Sequence, residues 1–452
     1  MTSLLVRGAR MLDPSRDLDA KGDILIEDGS IAAVREGKTG EALRSQRVLD
    51  ASGLVVTPGF IDLHCHLREP GDEHKETIAT GTLAAARGGF TTVCCMPNTR
   101  PAMDCAAALD YVYRRAREEG TVRVLPIACV SLGREGKELV EMAELAEAGV
   151  VGFSDDGSPV HDMALMRAAL SFTLTTGLPI MDHCEDPALV AGGCMNEGLV
   201  ATRLGLRGVP NESEEAMVAR DIALSRLTGG RLHICHVSTR GSVELIRRAR
   251  AEGLPVTAEV TPHHLTLTDE WVMGHREGAP LSGPVGIDSY DTCARVSPPL
   301  RSREDVDALV DALREGVIDI VATDHAPHDL ASKITTFEEA APGLSVFETA
   351  FGSLMALVHN KRLGLAELVE RLTAQPARIL GERYRGLGTL EPGSPADLVL
   401  FDPDREWVVD ASSFASKGKN TPLDGATLKG RVMATIFGGN VVYQDGAVGA
   451  LK

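Results

Sequence analysis

At 452 residues, the chain is long for one ordinary domain; it suits a barrel of the usual ~250 residues plus a small module, or a barrel with heavy insertions. Acidic residues outnumber Lys and Arg by 64 to 46, and a formal net charge of -18 excludes a surface built for nucleic acid or anionic membrane. No run approaches ~20 uninterrupted apolar residues, no charged-then-apolar leader opens the chain, and the cysteines lack framework spacing, so a soluble cytoplasmic protein with reduced thiols is expected.

In chain order, residues 1–57 read as short β segments: Leu4-Leu5-Val6, Asp23-Ile24-Leu25-Ile26 and Ser30-Ile31-Ala32-Ala33-Val34, separated by Asp/Gly turns. Eight apolar runs follow, at 58–66, 91–96, 123–130, 149–155, 179–185, 231–238, 256–262 and 318–324. Between them lie Ala/Glu/Arg/Leu-rich stretches of helical spacing, at 102–118, 137–147, 161–175, 213–227, 241–252 and 303–315. Eight strands alternating with helices is the sequence form of a (β/α)₈ barrel, the TIM-like α/β fold. A doubly wound sheet alternates similarly, but no Gly-rich dinucleotide loop follows the first strand. After about 384 the β style returns, as in Ala396-Asp397-Leu398-Val399-Leu400-Phe401. The expected organisation is a barrel at 58–383 and a small β-sandwich domain formed by both termini, 1–57 and 384–452.

Metal-type side chains gather at the C-terminal ends of the runs, the rim from which barrel enzymes draw their catalytic residues. The first run ends Asp62-Leu63-His64-Cys65-His66-Leu67-Arg68; residues two apart share a strand face, so His64 and His66 point together into the mouth while Cys65 points away. The fourth ends Asp155-Asp156-Gly157, the fifth His183-Cys184-Glu185, the sixth at His236, and the eighth Asp324-His325-Ala326-Pro327-His328. Singly, each is weak. A strand-end His is more often a hydrogen-bonded structural residue, Asp156 before Gly157 is by default a turn former, and Asp62 can simply anchor backbone amides. Together, four His and two Asp are a ligand set for zinc-like ions, and two metals fit that count better than one. Two divalent ions, two carboxylates and a bridging hydroxide leave about one net positive charge in a dry pocket. With Arg68, that centre supplies the local positive field that an acidic protein needs to hold an anionic substrate.

The run Gly59-Phe60-Ile61-Asp62-Leu63-His64-Cys65-His66-Leu67-Arg68-Glu69-Pro70-Gly71 resembles the first-strand motif of dihydroorotases. Met96-Pro97-Asn98-Thr99 is similar to their second-strand segment, and Ala322-Thr323-Asp324-His325-Ala326-Pro327-His328, followed by Lys333, to their last-strand signature. Val237-Ser238-Thr239, Val260-Thr261-Pro262-His263-His264 and Ser416-Lys417-Gly418-Lys419-Asn420-Thr421-Pro422 extend the resemblance over nearly the whole chain. It implies a first metal on His64 and His66 with Asp324 beside it, and a second on His183 and His236. Many relatives, hydantoinases and allantoinases among them, bridge the metals with a carbamylated strand-four Lys; here that strand offers Asp155-Asp156 and no Lys. Asp-Asp-Gly at this point is the mark of type I dihydroorotases, with Asp156 as the bridge and Asp155 the fallback.

The implied reaction is reversible cyclisation of N-carbamoyl-L-aspartate to L-dihydroorotate in pyrimidine (UMP) synthesis. A metal-bound hydroxide attacks the ring amide and Asp324 acts as general acid and base. Arg68 clamps the substrate carboxylate, helped by Asn98 and His328. Its bland reading is a surface ion pair with Glu69 or Asp72. Ser297 stands where relatives carry a substrate-holding Asn, so it reaches less far or bridges through water. The stretch 274–294 looks longer than usual, and the segment from His328 to Gly343 resembles the family's closing loop. Two zinc ions per subunit are expected, with cobalt and manganese equally acceptable to the ligand set. The competing readings are a hydantoinase or dihydropyrimidinase, and a non-catalytic scaffold subunit of an aspartate transcarbamoylase complex. The first lacks its strand-four Lys here, and the second typically loses ligands that are all present. A homo-oligomer, possibly associated with the transcarbamoylase, is the expected assembly.

Overall fold

The computed structural model describes residues 3–37, 45, 47–274 and 288–446; within the 274–294 stretch, 275–287 lie outside the described residues. The N-terminal segments form β1 (Ser3–Asp13), β2 (Leu18–Glu27), β3 (Ser30–Glu36), β4 (Arg47–Asp50) and β5 (Val55–Pro58). The first three apolar runs form β6 (Phe60–Cys65), β7 (Phe90–Cys95) and β8 (Arg123–Pro126), a parallel three-stranded sheet. The fifth run gives β9 (Ile180–Asp182), and a small parallel ribbon, β10 (Met195–Asn196) with β11 (Gly208–Val209), follows it. The last three runs give β12 (Leu232–Ile234), β13 (Val256–Val260) and β14 (Ile320–Val321), which join β9 in a parallel sheet ordered β14-β13-β12-β9. Six helices lie in or beside the six helical stretches, from Ala106–Glu119 to Arg303–Glu315.

The fourth run does not make a regular strand. Phe153 alone bridges Ala128 on one side and Ile180 on the other, and Cys65 bridges His325 in the same parallel sense. Gly152 is pressed against the neighbouring strand β9, since a β-carbon there would lie 2.8 Å from Met181 Sδ, and a turn closed by the Ser158 N–H on the Asp155 carbonyl soon follows.

After β15 (Arg385–Gly388), the chain returns to the first sheet through β16 (Leu398–Val408), β17 (Thr427–Phe437) and β18 (Asn440–Gln444). The strands expected as a β-sandwich pair into one eight-stranded sheet, β18-β17-β16-β5-β1-β2-β3, with β4 on β1. The seam is β5, which pairs with β1 in parallel and with β16 antiparallel, so both termini share one apolar cluster.

Ile61, Leu63, Cys94, Leu125, Val151, Met181, Cys235 and Ile320, drawn from seven of the runs, pack into one apolar layer that floors the site. A larger cluster fills the space between strands and helices. All nine cysteines are free thiols, and seven are buried, where they pack as small hydrophobes. No helix among the described residues is long and apolar enough to cross a membrane.

Candidate functional site

Six side chains converge above that layer. His64 is fully buried, and its Nε2 lies 3.4 Å from Asp156 Oδ1 and 3.5 Å from Asp324 Oδ1. His66 Nε2 lies 3.0 Å from Asp324 Oδ1 and 3.6 Å from Asp156 Oδ2. From the other sheet, His183 Nδ1 and His236 Nε2 approach each other to 2.9 Å, and stand 3.6 and 3.8 Å from Asp156 Oδ1. Asp156 thus sits at the centre of four imidazoles. Asp155 turns the other way, accepting from the Val130 and Ser131 backbone N–H groups at 2.9 and 3.1 Å and from the Ser131 hydroxyl. Asp62 fulfils its bland expectation, accepting from Thr323 N–H and Oγ1 at 2.7 and 2.8 Å, and so ties the ends of the first and last runs together. Cys65 faces away, its thiol directed at the Cys94 carbonyl.

Three site residues hold the left-handed backbone that non-glycine residues rarely adopt: Arg68 at φ 60, His236 at φ 34 and Asp324 at φ 45. Such outliers persist only where the surroundings over-determine them.

Burial alone would raise the Asp156 carboxyl, but His64, His183 and His236 hold it well below the usual carboxylate range. Burial would likewise strip the proton from His183, yet hydrogen bonds to Asp156 and Glu185 outweigh it and lift that imidazole to about 10. His64 is held up likewise by Glu259, Asp324 and Asp156, while burial and Arg68 push His66 down, and imidazoles that keep protons against burial occupy a place suited to cations. His64 Nε2 supports the same view, being buried with no hydrogen-bond partner among the described residues. His64, His66 and Asp324 bring donor atoms within 4.8 Å of one another, as do His64, Asp156 and His236. The residues therefore fit divalent ions of the imidazole- and carboxylate-binding kind.

A cavity of about 220 Å³ opens above the cluster, lined by nine of the residues above or predicted for substrate, including Arg68, Asn98, Ser297 and His328. Arg68 is not in the surface ion pair of its bland reading: Glu69 binds Arg115 at 2.8 Å and Asp72 binds Lys75 at 3.3 Å. The Arg68 guanidinium instead donates to the Pro327 carbonyl at 3.3 Å and approaches His328 Nε2 at 3.4 Å. Burial, then Arg68 and Lys333, push the His328 imidazole down to about 2, so it is neutral. Its Nε2 donates to the Pro342 carbonyl at 2.9 Å. The Asn98 amide is engaged on both ends, with Oδ1 3.0 Å from His66 Nδ1 and Nδ2 donating to Asp156 Oδ2 at 3.1 Å. The Ser297 hydroxyl donates to Glu185, whose Oε2 also accepts from His183 Nε2 at 3.0 Å. The segment 329–343 borders the cavity through Pro342 and Gly343, and buried Lys333 ties it to the carbonyls of Thr292 and Arg295.

Sequence reading gives Glu185, at the end of the fifth run, no role, and does not single out Glu259. Glu259 Oε1 accepts from His64 Nδ1 at 2.6 Å. The signal for it was present: a glutamate inside the apolar strand Val256-Thr257-Ala258-Glu259-Val260 needs a buried partner.

A family model described as dihydro-orotase-like matches residues 53–242, and one described as amidohydrolase family matches 295–443. The chain is 47% identical over 442 residues to a dihydroorotase of Syntrophus aciditrophicus, covering 98% of this chain and 99% of the relative. It is 49% identical over 443 residues to one of Pelotomaculum thermopropionicum, with 98% and 99% covered. Among solved structures, the L-hydantoinase (dihydropyrimidinase) of Arthrobacter aurescens superposes with a TM-score of 0.84 at 28% identity, over 99% of this chain and 97% of that one. A dihydropyrimidinase of Brevibacillus agri gives 0.82 at 24% identity over 99% and 96%, a likeness of fold alone.

Proposed function

The chain belongs to the dihydroorotase family and is a metal-dependent cyclic-amide hydrolase, and from that premise we propose that it interconverts N-carbamoyl-L-aspartate and L-dihydroorotate in pyrimidine synthesis. The observation that carries this reading is the pairing of two kinds of wall in one cavity, histidines gathered on Asp156 and the guanidinium of Arg68. The first wall suits amide chemistry; the second suits a carboxylate on the ring. A hydantoinase substrate carries no such carboxylate, and the run 150–156 offers no Lys to bridge its metals.

Two divalent ions, zinc foremost, would be held by His64, His66 and Asp324 and by His183 and His236, with Asp156 between them. When bound, such ions polarise the amide carbonyl and ease deprotonation of water. Asp324 is the proton carrier: its carboxylate, kept ionised by neighbouring imidazoles despite burial, takes the proton of the attacking water and returns it to the ring nitrogen as the C–N bond breaks. In the closing direction the same carboxylate takes the proton of the ureido nitrogen. Arg68 presents two parallel N–H groups to the substrate carboxylate. Neutral His328, its Nε2–H already given to Pro342, offers the Nδ1 lone pair to a substrate N–H. Asn98 keeps His66 and Asp156 in register, and Ser297 acts on His183 through Glu185.

The framework for this chemistry would be a closed (β/α)₈ barrel at 58–383 with a terminal domain of 1–57 and 384–452. The bridges at Phe153 and between Cys65 and His325 support closure, since they span both gaps between the two parallel sheets.

Turnover of L-dihydroorotate and of hydantoin, with metal content measured on the same sample, tests the reading. Dihydroorotate should be preferred by at least about 10²-fold, because the cavity's charged wall is left unpaired by hydantoin. Asp156→Ala should lose metal and turnover together. Faster turnover of hydantoin, or an Asp156→Ala protein with full metal and activity, would overturn it.

A further inference from the structure

Between the two halves of the histidine cluster lies a carboxylate that the chemistry above leaves unused. Glu259, on β13, is fully buried between Ala258 and Val260, where an aliphatic residue would complete the strand. Burying a carboxylate is costly unless it is paired and hydrogen-bonded. Glu259 is both. Its Oε1 accepts from His64 Nδ1 at 2.6 Å and from the His236 backbone N–H at 3.3 Å. Its Oε2 accepts from His233 Nε2 at 3.1 Å, and His233 Nδ1 meets Thr257 Oγ1 at 2.8 Å.

These contacts have directional consequences. A carboxylate can only accept, so the His64 nitrogen facing it carries a proton, and in the singly protonated ring Nε2 is the nitrogen left to bind an ion beside Asp156 and Asp324. His236 lies on the opposite sheet at φ 34, and the bond from its N–H to Glu259 holds that unusual turn. We propose that Glu259 is a positioning residue for both ion positions, fixing the ring form and aim of His64 and the backbone turn that aims His236, with His233 as its anchor. The inference rests on the metal reading above. His64, Cys235 and Glu259 also bring donor atoms within 4.8 Å of one another. Both Glu259 oxygens already accept from N–H groups, however, so the carboxylate acts on ligands rather than on an ion.

The test is zinc affinity of the full-length protein, read by competition with a chelator, with the thermal midpoint followed in parallel. Glu259→Gln should weaken zinc by about 10–100-fold, the usual effect of removing an outer-shell partner. His233→Gln keeps Glu259 and all six grouped side chains, so any effect must travel through Glu259; a loss of at least about threefold is expected. Zinc affinity of Glu259→Gln within about threefold of the parent would overturn the proposal by the same criterion. Should that variant fail to fold, unchanged affinity in His233→Gln would overturn it instead. A parent protein that binds no zinc, cobalt or manganese would overturn the metal reading itself and this inference with it, whereas tight binding by the parent and by both variants would remove only the role of Glu259.

Discussion

Arg68 holds its place by shape as much as by charge. Its φ of 60 turns the side chain back over the cavity, where the guanidinium leans on the Pro327 carbonyl and leaves donors for a ligand. Arg68→Lys keeps the charge and carries no extra backbone strain, since every non-glycine residue meets the same obstacle at that φ. It removes the planar fork. A charge-assisted hydrogen bond contributes about 1.5–3 kcal/mol, so KM for dihydroorotate should rise about 10–100-fold with zinc content unchanged. Steady-state kinetics with metal analysis would show it, and a KM within about twofold of the parent would take Arg68 off the carboxylate. The cluster was legible at this scale because its residues sit at strand ends, where period-two alternation tells which side chains share a face. What stayed hidden was contact between distant positions. His64 and Glu259 are 195 residues apart, and no spacing rule joins them. Asp156 is the bridge that the resemblance implies and Asp155 its fallback, and the contacts that part their roles, from Val130 and Ser131 to Asp155, lie more than twenty residues away in the chain. Position along the chain makes Ser297 a substrate contact, whereas the fold directs its hydroxyl to Glu185.

The segment Ser416–Pro422 carries a family motif whose purpose no pattern explains, and its geometry supplies one. Asn420 Oδ1 accepts from the His328 N–H and the Ser345 hydroxyl, each at 2.9 Å, and Nδ2 donates to the carbonyls of Ala326 and Gly343 at 3.2 and 2.8 Å. One amide from the C-terminal part of the chain thereby sets the cavity wall that bears His328 and Gly343. Asn420→Asp is isosteric but sets a second acceptor, with charge, against two carbonyls. That should cost about 2–4 kcal/mol at a buried position and raise KM by at least about tenfold, with metal content preserved. Unfolding curves and kinetics on the same variant would check both effects, and an unchanged KM would make Asn420 structural only. Among elements, the longer helices were the most legible, since their apolar period extends over three or more turns, whereas the stretch 137–147 is helical only over Met142–Glu147. The fourth run was the least. Its apolar composition promised a strand, but Gly152 against Met181 and the turn at Asp155 leave Phe153 alone to pair on both sides. The terminal strands were legible as β but not as one sheet, because pairing of β5 with β16 is a contact between chain ends.

For the whole molecule, an acidic chain of net charge -18 surrounds a centre that holds extra protons, and buried histidines of two kinds make stability depend on pH in opposite ways on either side of about 6.5. Burial keeps His263 neutral, pushing it down to about 4, and His328 to about 2. Unfolded, both take up protons below about 6.5, so the stability they confer is complete above that pH and lost as pH falls toward 4 and below. One unit is worth about 1.4 kcal/mol, which makes His263 alone worth about 3 kcal/mol across that window. In the metal-free protein His183 behaves in the reverse sense. Asp156 and Glu185 lift it to about 10 against the pull of burial, so its contribution is complete below about 6.5 and lost as pH rises toward 10. Metal-free protein should therefore melt highest near pH 6.5 and lower at both about 5 and about 9.5. Zinc replaces the proton on His183 and binds more tightly as pH rises, so the alkaline decline should shrink or reverse in the loaded protein while the acid decline persists. Differential scanning fluorimetry across that range, with and without zinc, separates the two limbs. A metal-free midpoint that stays level between about pH 6.5 and 9.5 would mean that the histidines do not hold those protons, and the cation-seeking character assigned to the cluster would lose its electrostatic basis.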